Sequence, residues 1–240
     1  MISMSLQGIR GGVGTSSTLA ALGYALSTLG QKVLVVDMCP ENTLGLHFNL
    51  DFAQPGGWAR ATVDNAAWHE HAWNIEPGLN VLPYGTLTAE QSGQLDELLQ
   101  KDPQLWAKRQ DSIADAFDWV LFDLPQRLLG HATNPRCDIA MTVLNLDAAS
   151  HALLQQPNIS VNRLLINRFD PASQLQRDLL LLWQHHFVNR LLPIHLHADE
   201  ALAEALAKRE PTGRYAPGSL IAQDIISLAS WCLLRGGRLE

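Results

Sequence analysis

Eight consecutive residues, Arg10-Gly11-Gly12-Val13-Gly14-Thr15-Ser16-Ser17, bring together a cation, three glycines and three hydroxyls. Glycine lets a backbone turn tightly enough for successive N–H groups to converge on one point. A helix that starts directly after such a turn aims its uncapped N–H groups and its dipole at the same point. The anion suited to this arrangement is a phosphate. Ser16 then stands where its hydroxyl can ligate Mg²⁺ beside that phosphate. Arg10 adds a guanidinium able to grip phosphate with two parallel hydrogen bonds. Thr15 can offer only a neutral hydroxyl, a weaker group than a cation. Two carboxylates complete the set. Asp37 closes Lys32–Asp37 (KVLVVD) and Asp123 closes Trp119–Asp123 (WVLFD), both apolar runs of strand type. Ligands of open α/β sheets sit beyond the carboxyl ends of their strands, so both aspartates are expected to face the phosphates. Ser16, Asp37 and Asp123 are the expected Mg²⁺ ligands, with Asp37 also a weak catalytic candidate. The plain alternatives are a tight turn for the loop and turn caps for the aspartates.

Positioning these groups requires alternating strands and helices, and the chain reads that way. Ser5-Leu6-Gln7-Gly8 ends a first strand, and Ser16 to Leu29 predicts a helix stopped by Gly30. Further strands are predicted at Lys32–Asp37, Leu79–Pro83, Trp119–Asp123, Ile139–Leu146, Leu164–Asn167 and Leu191–Leu196. Helices are predicted over Asp102–Phe117, Gln174–Phe187, Glu200–Lys208 and Ser219–Leu234. In the first of these Asp102 is read as N-cap and Pro103 as the first helical residue. Between Asp51 and Ala72 the pattern breaks down around Pro55-Gly56-Gly57-Trp58, which suggests an excursion above the sheet. The expectation is one α/β domain over residues 1–240: a three-layer phosphate-loop fold with a mostly parallel sheet between two helical layers.

Bulk composition narrows the function. With 47% hydrophobic residues, 240 positions suffice for one large core. Seventeen basic against 24 acidic residues leave a net charge of -7, which argues against nucleic acid as the main partner. Cys39, Cys137 and Cys232 form no CxxC pair, which suits reduced thiols in a cytoplasmic setting. Neither a signal-peptide pattern nor an apolar run of membrane-spanning length is visible. The histidines, among them His69/His71, His185/His186 and His195/His197, lack a zinc-like spacing. Ser219–Leu234 is read as a core helix, since it lacks the basic face of a membrane-surface helix. Trp58 and Trp73 are singled out as interface candidates.

These motifs carry a resemblance. Arg10–Ser17 (RGGVGTSS) resembles the KGGVGKTT loop of the ParA/MinD family of P-loop ATPases, a deviant Walker A motif. Val35–Pro40 (VVDMCP) resembles that family's VDxDP segment. Leu192-Pro193-Ile194, Asp199-Glu200-Ala201, Pro211 and Tyr215–Ser219 resemble its IP…EAP…P…YxPxS tail. The likeness runs from about Leu6 to Leu234. Within the family it is greater to a branch serving bacterial cellulose biosynthesis, which is similar at Leu6–Thr15, Lys32–Pro40, Gly57–Ala61 (GWARA), Asp123–Pro125 (DLP), His197–Glu204 and Trp231–Leu234 (WCLL). That branch shares Thr15 and Cys39.

The resemblance implies ATP and Mg²⁺ as cofactors, held by Arg10, Gly11, Gly12, Val13, Gly14, Thr15, Ser16 and Ser17. It implies a homodimer closed across the nucleotide, with Arg10 reaching the partner's phosphates. It also implies an adenine contact at Asn167, against a plain strand-end turn there. The implied partners are small cytoplasmic and membrane-associated proteins of the cellulose synthase complex, which would recruit a cytoplasmic protein to the inner membrane or cell pole. Two departures bear on catalysis. Thr15 stands where the family carries its usual lysine, and Cys39 where active relatives carry a water-orienting aspartate. The expectation is an ATP-binding assembly factor with slow or absent hydrolysis. The alternatives are an active partition or positioning ATPase and a scaffold with a dead site.

Overall fold

Val33–Asp37 (VLVVD) is buried at every position, including its terminal carboxylate. A strand without a polar face must be covered on both sides, which is how parallel sheets are built. The computed structural model describes residues 1–51, 53–126, 135–156 and 162–236. Along the chain the first half runs β1 (Ile2–Gly8), α1 (Thr15–Thr28), β2 (Val33–Asp37), α2 (Trp58–Val63), β3 (Trp73–Glu76), β4 (Leu79–Leu82), α3 (Ala89–Lys101), α4 (Leu105–Ser112) and β5 (Trp119–Leu124). The second half runs β6 (Ile139–Asn145), α5 (Ala148–Leu154), β7 (Arg163–Phe169), α6 (Gln174–His186), β8 (Leu191–His197), α7 (Ala201–Lys208), α8 (Thr212–Tyr215) and α9 (Leu220–Gly236). Short 3₁₀ turns sit at Leu44–Phe48 and Trp68–His71.

The strands form one sheet of eight in the order β3-β4-β2-β5-β1-β6-β7-β8. All neighbours are parallel except the edge pair β3–β4. The period-two alternation of strand side chains splits the core. Val33, Val35, Trp119 and Leu121 enter one cluster with α1 and α9. Leu34, Val36, Val120 and Phe122 enter another with Trp58 of α2, Leu95 and Leu99 of α3 and Trp106 of α4. β1 lies at the centre, and the chain leaves it toward β5 and β2 on one side and β6 to β8 on the other. That reversal is the topological switch point at which open α/β sheets bind ligands.

The α/β architecture matches the expectation, and several local readings need correction. The helix predicted over Asp102–Phe117 begins later, at Leu105, and ends at Ser112. Asp102 instead closes α3, which ends at Lys101. Its carboxylate still accepts the Gln104 N–H and pairs with Lys108 at 2.7 Å. Helix α3 is not among the helices expected from the sequence; it starts at a capping box between Thr88 and Gln91. The irregular stretch after Asp51 holds α2, and Trp58 is a core residue, not an interface one. It is fully buried, edge-on to Tyr84 and Trp106. Trp73, on edge strand β3, is 43% exposed.

Candidate functional site

The glycine loop joins β1 to α1 as its sequence requires. Gly14 is the residue before the helix, with φ 89° and ψ 27°, a left-handed conformation that side chains other than glycine's adopt at a strain. No side chain caps α1, and its first turn contains no acidic residue. Its leading N–H groups therefore remain available to an anion, with the positive end of the dipole behind them. Thr15 turns its hydroxyl back toward the end of β1. A Cβ placed on Gly8 would meet Thr15 Oγ1 at 2.7 Å.

Two residues distant in sequence hold the loop. Asn167 on β7 is completely buried and donates its amide Nδ2 to the Val13 carbonyl at 2.8 Å. Its Oδ1 accepts the Arg168 N–H, and Arg168 takes a left-handed φ of 55°. The Arg10 guanidinium donates from one nitrogen to the Gly11 carbonyl at 3.1 Å and pairs through the other with Asp147 at 2.5 Å. Asp147 also caps α5 by accepting the Ser150 N–H. Its carboxyl is held below the usual range. Partial burial pushes it upward, and the Ser150 N–H with Arg10 overcome that push. Sequence reasoning missed Asp147 as the partner of Arg10. Only its capping pattern, an aspartate three residues before a serine, was visible.

Beneath the loop the parallel register sets Asp37 of β2 directly beside Asp123 of β5. Asp37 Oδ1 accepts the Cys39 N–H and Oδ2 the Leu44 N–H, both at 2.9 Å. The Trp58 indole donates to the Asp37 carbonyl at 2.7 Å, tying α2 to the end of β2. Asp123 is 1% exposed and neither of its carboxylate oxygens has a hydrogen-bond partner. Among the described residues neither aspartate has a cationic partner. Burial pushes Asp37 up to about 7, against the two N–H groups it accepts. Asp123 is raised by burial and then by the Asp37 charge. The nearby Ser16 hydroxyl works weakly the other way without reaching hydrogen-bond geometry. Burial and the same two carboxylates raise the Cys39 thiol far above its ordinary range.

The loop and Asp123 border one cleft of about 680 Å³, and Asp37 lies fully buried beside Asp123, behind its wall. Arg10, Ser16, Ser17, Cys39, Asp123 and His47 all line it, together with loop glycines 11, 12 and 14. His47 is buried, 3.5 Å from Ser17, and burial lowers its pKa to about 4. Two buried carboxylates without a cation among the described residues, near an uncapped helix start, suit a polyphosphate accompanied by a divalent ion. Oxygen donors from Ser16, Asp37 and Asp123 are of the hard type that Mg²⁺ takes. Asp123 in particular has its acceptor capacity free.

The sheet order, with the glycine loop between β1 and α1 and the paired aspartates at β2 and β5, defines an α/β fold of the MinD/ParA type. The MinD septum site-determining protein complexed with Mg-ADP from Pyrococcus horikoshii OT3 superposes with a TM-score of 0.73 at 21% identity, covering 95% of this chain and 94% of that one. Cobyrinic acid a,c-diamide synthase from Mycobacterium smegmatis, solved with an ATP analogue and magnesium, gives 0.72 at 20% identity, covering 97% and 94%. The family model for cellulose biosynthesis protein BcsQ matches residues 1–233. The Escherichia coli K12 cellulose biosynthesis protein BcsQ is 39% identical over 252 residues, spanning 100% of this chain and 97% of the relative. The chain belongs to the BcsQ family.

Proposed function

We propose that this protein binds ATP with Mg²⁺ in the cleft, dimerises across the nucleotide, and serves bacterial cellulose biosynthesis as a nucleotide-held assembly and positioning factor. The observation that carries the reading is the pair Asp37–Asp123, buried, adjacent and without a cation among the described residues, with Asp123 in the wall of the cleft at an uncapped helix start. The backbone N–H groups of Gly11, Gly12, Val13, Gly14, Thr15, Ser16 and Ser17 hold the phosphates. Ser16, Asp37 and Asp123 hold the metal ion. When bound, Mg²⁺ would neutralise phosphate charge. Asn167 keeps the loop in shape through Val13; full burial and two engaged amide atoms give it this positioning role in place of the adenine contact expected from the resemblance. Arg10 exchanges Asp147 for the phosphates of the partner protomer. The family's link to cellulose biosynthesis supports recruitment of a cytoplasmic protein, by other members of the secretion machinery, to the inner membrane or pole.

Hydrolysis is slow or absent in this reading. Phosphoryl transfer depends on positioned charge, and Thr15 and Cys39 each remove one charged group relative to the ATPase pattern. Each loss lowers the rate on the order of 10²–10³. The test is isothermal titration of the nucleotide-free protein with Mg-ATP, light scattering to follow dimerisation, and phosphate release. Binding with dimer formation and little turnover is expected. No binding at millimolar ATP would overturn the reading. Turnover at the level of active ATPases, abolished by Asp37→Ala, would overturn the slow-hydrolysis part.

A further inference from the structure

We propose that Asp37, Cys39 and Asp123 form a thiol-containing cation site that takes a borderline-soft divalent metal of the zinc class in preference to Mg²⁺. This deepens the reading of the site above by naming a second class of cation for it, and it requires no nucleotide. One donor atom from each of the three side chains lies within 4.8 Å of the other two. A tetrahedral ion bonded at zinc distances to two carboxylate oxygens and a sulfur holds them roughly 3.5 Å apart. Small rotations about the side-chain bonds close that difference.

The three donors do not form an ordinary exposed acidic patch. Asp37 is 0% and Asp123 1% exposed, and both oxygens of Asp123 are without a hydrogen-bond partner among the described residues. A buried carboxylate with no hydrogen bond and no counter-charge is costly unless a cation completes it. The parallel register of β2 and β5 fixes the two aspartates side by side. The turn after β2 returns Cys39 over Asp123, with its Sγ 3.5 Å from the Asp123 carbonyl oxygen. That turn is pinned, because the Cys39 N–H is held by Asp37 Oδ1.

Ligand chemistry then decides the ion. Mg²⁺ takes oxygen ligands in near-octahedral geometry and gains little from sulfur. Zinc-class ions accept carboxylate and thiolate together in a four-coordinate site. Cys39 releases its proton to solvent as the metal–sulfur bond forms. Three protein donors leave the fourth position to water on the cleft side, where Ser16 lines the wall.

The test uses the nucleotide-free full chain titrated with Cd²⁺, which reports thiolate coordination as an ultraviolet charge-transfer band. A saturable one-to-one band is expected in the wild type and in Cys137→Ser. In Cys39→Ser and Cys39→Ala it should vanish, with circular dichroism confirming the fold. Asp123→Asn should weaken Cd²⁺ binding by about tenfold or more. An equal concentration of Mg²⁺ should leave the band in place. The proposal is overturned by absence of a band in the wild type, by its survival in both Cys39 variants, or by its loss to equimolar Mg²⁺. Mg-ATP titration of the same preparation separates the two ideas. ATP binding without a cadmium band defeats the thiol site alone, and a cadmium band without ATP binding defeats the nucleotide reading alone.

Discussion

Lowering the pH of the nucleotide-free protein from 7 to 5 should destabilise it through one identifiable side chain, His47. The imidazole is 5% exposed, on the 3₁₀ turn Leu44–Phe48, with Ser17 as its polar neighbour. Burial alone lowers its pKa from 6.5 to about 4, and no charged group contributes to the change. Between those values the unfolded chain takes up a proton that the folded chain refuses. The stability is therefore fully present above about pH 6.5 and is lost as the pH falls toward 4. The full gap corresponds to about 3 kcal/mol, of which roughly 2 kcal/mol is gone by pH 5. Urea unfolding followed by tryptophan fluorescence at pH 7 and pH 5, for wild type and His47→Gln, isolates the effect. Carboxylate titrations elsewhere contribute equally to both proteins and cancel in the difference. The wild type should lose roughly 2 kcal/mol more than the variant over this interval. Equal losses in the two proteins would mean that His47 is hydrated or already paired in the folded state, and the burial argument would be wrong.

Gly14→Ala should leave the protein folded but weaken Mg-ATP binding by about tenfold or more, because the left-handed conformation strains any side chain. The added Cβ would also lie 2.5 Å from Asn167 Nδ2. Fluorescent-nucleotide titration checks this, and an affinity within about twofold of wild type would refute it. Asp123→Asn should raise the stability of the nucleotide-free protein at pH 8 by about 1–2 kcal/mol, since it removes one of two adjacent buried carboxylates. The same change should abolish the Mg²⁺ dependence of nucleotide binding. A lower urea midpoint without nucleotide would contradict the proposed electrostatic strain. The double variant Thr15→Lys, Cys39→Asp should raise phosphate release by roughly 10² or more. Unchanged release would show that the missing charges do not limit turnover.

The phosphate loop and the buried strands were legible because both are local patterns. A glycine-rich turn followed by hydroxyls and a helix is written in eight consecutive residues, and VLVVD declares a doubly covered strand by its lack of polar positions. Asp37 and Asp123 were found for the same reason, as carboxylates ending such strands. Edge strand β3 and the short helices α2 and α5 were less visible. β3 is four residues long, and these helices take their stability from packing more than from their own periodicity.

Only the tertiary structure decided how these groups meet. Strand order and register put Asp37 beside Asp123, and no local pattern encodes which strands become neighbours. The order of the sheet likewise brings Asn167 under Val13 across 154 positions and Asp147 to Arg10 across 137. Trp58 is an interface candidate on sequence because aromatics concentrate in hot spots, yet burial against Tyr84 and Trp106 makes it a core residue bonded to the Asp37 carbonyl. The sequence determined which residues can carry the chemistry, because backbone turns and buried runs have short-range signatures. The fold determined which of them share a cleft, because that depends on contacts between segments whose separation along the chain carries no signal of its own.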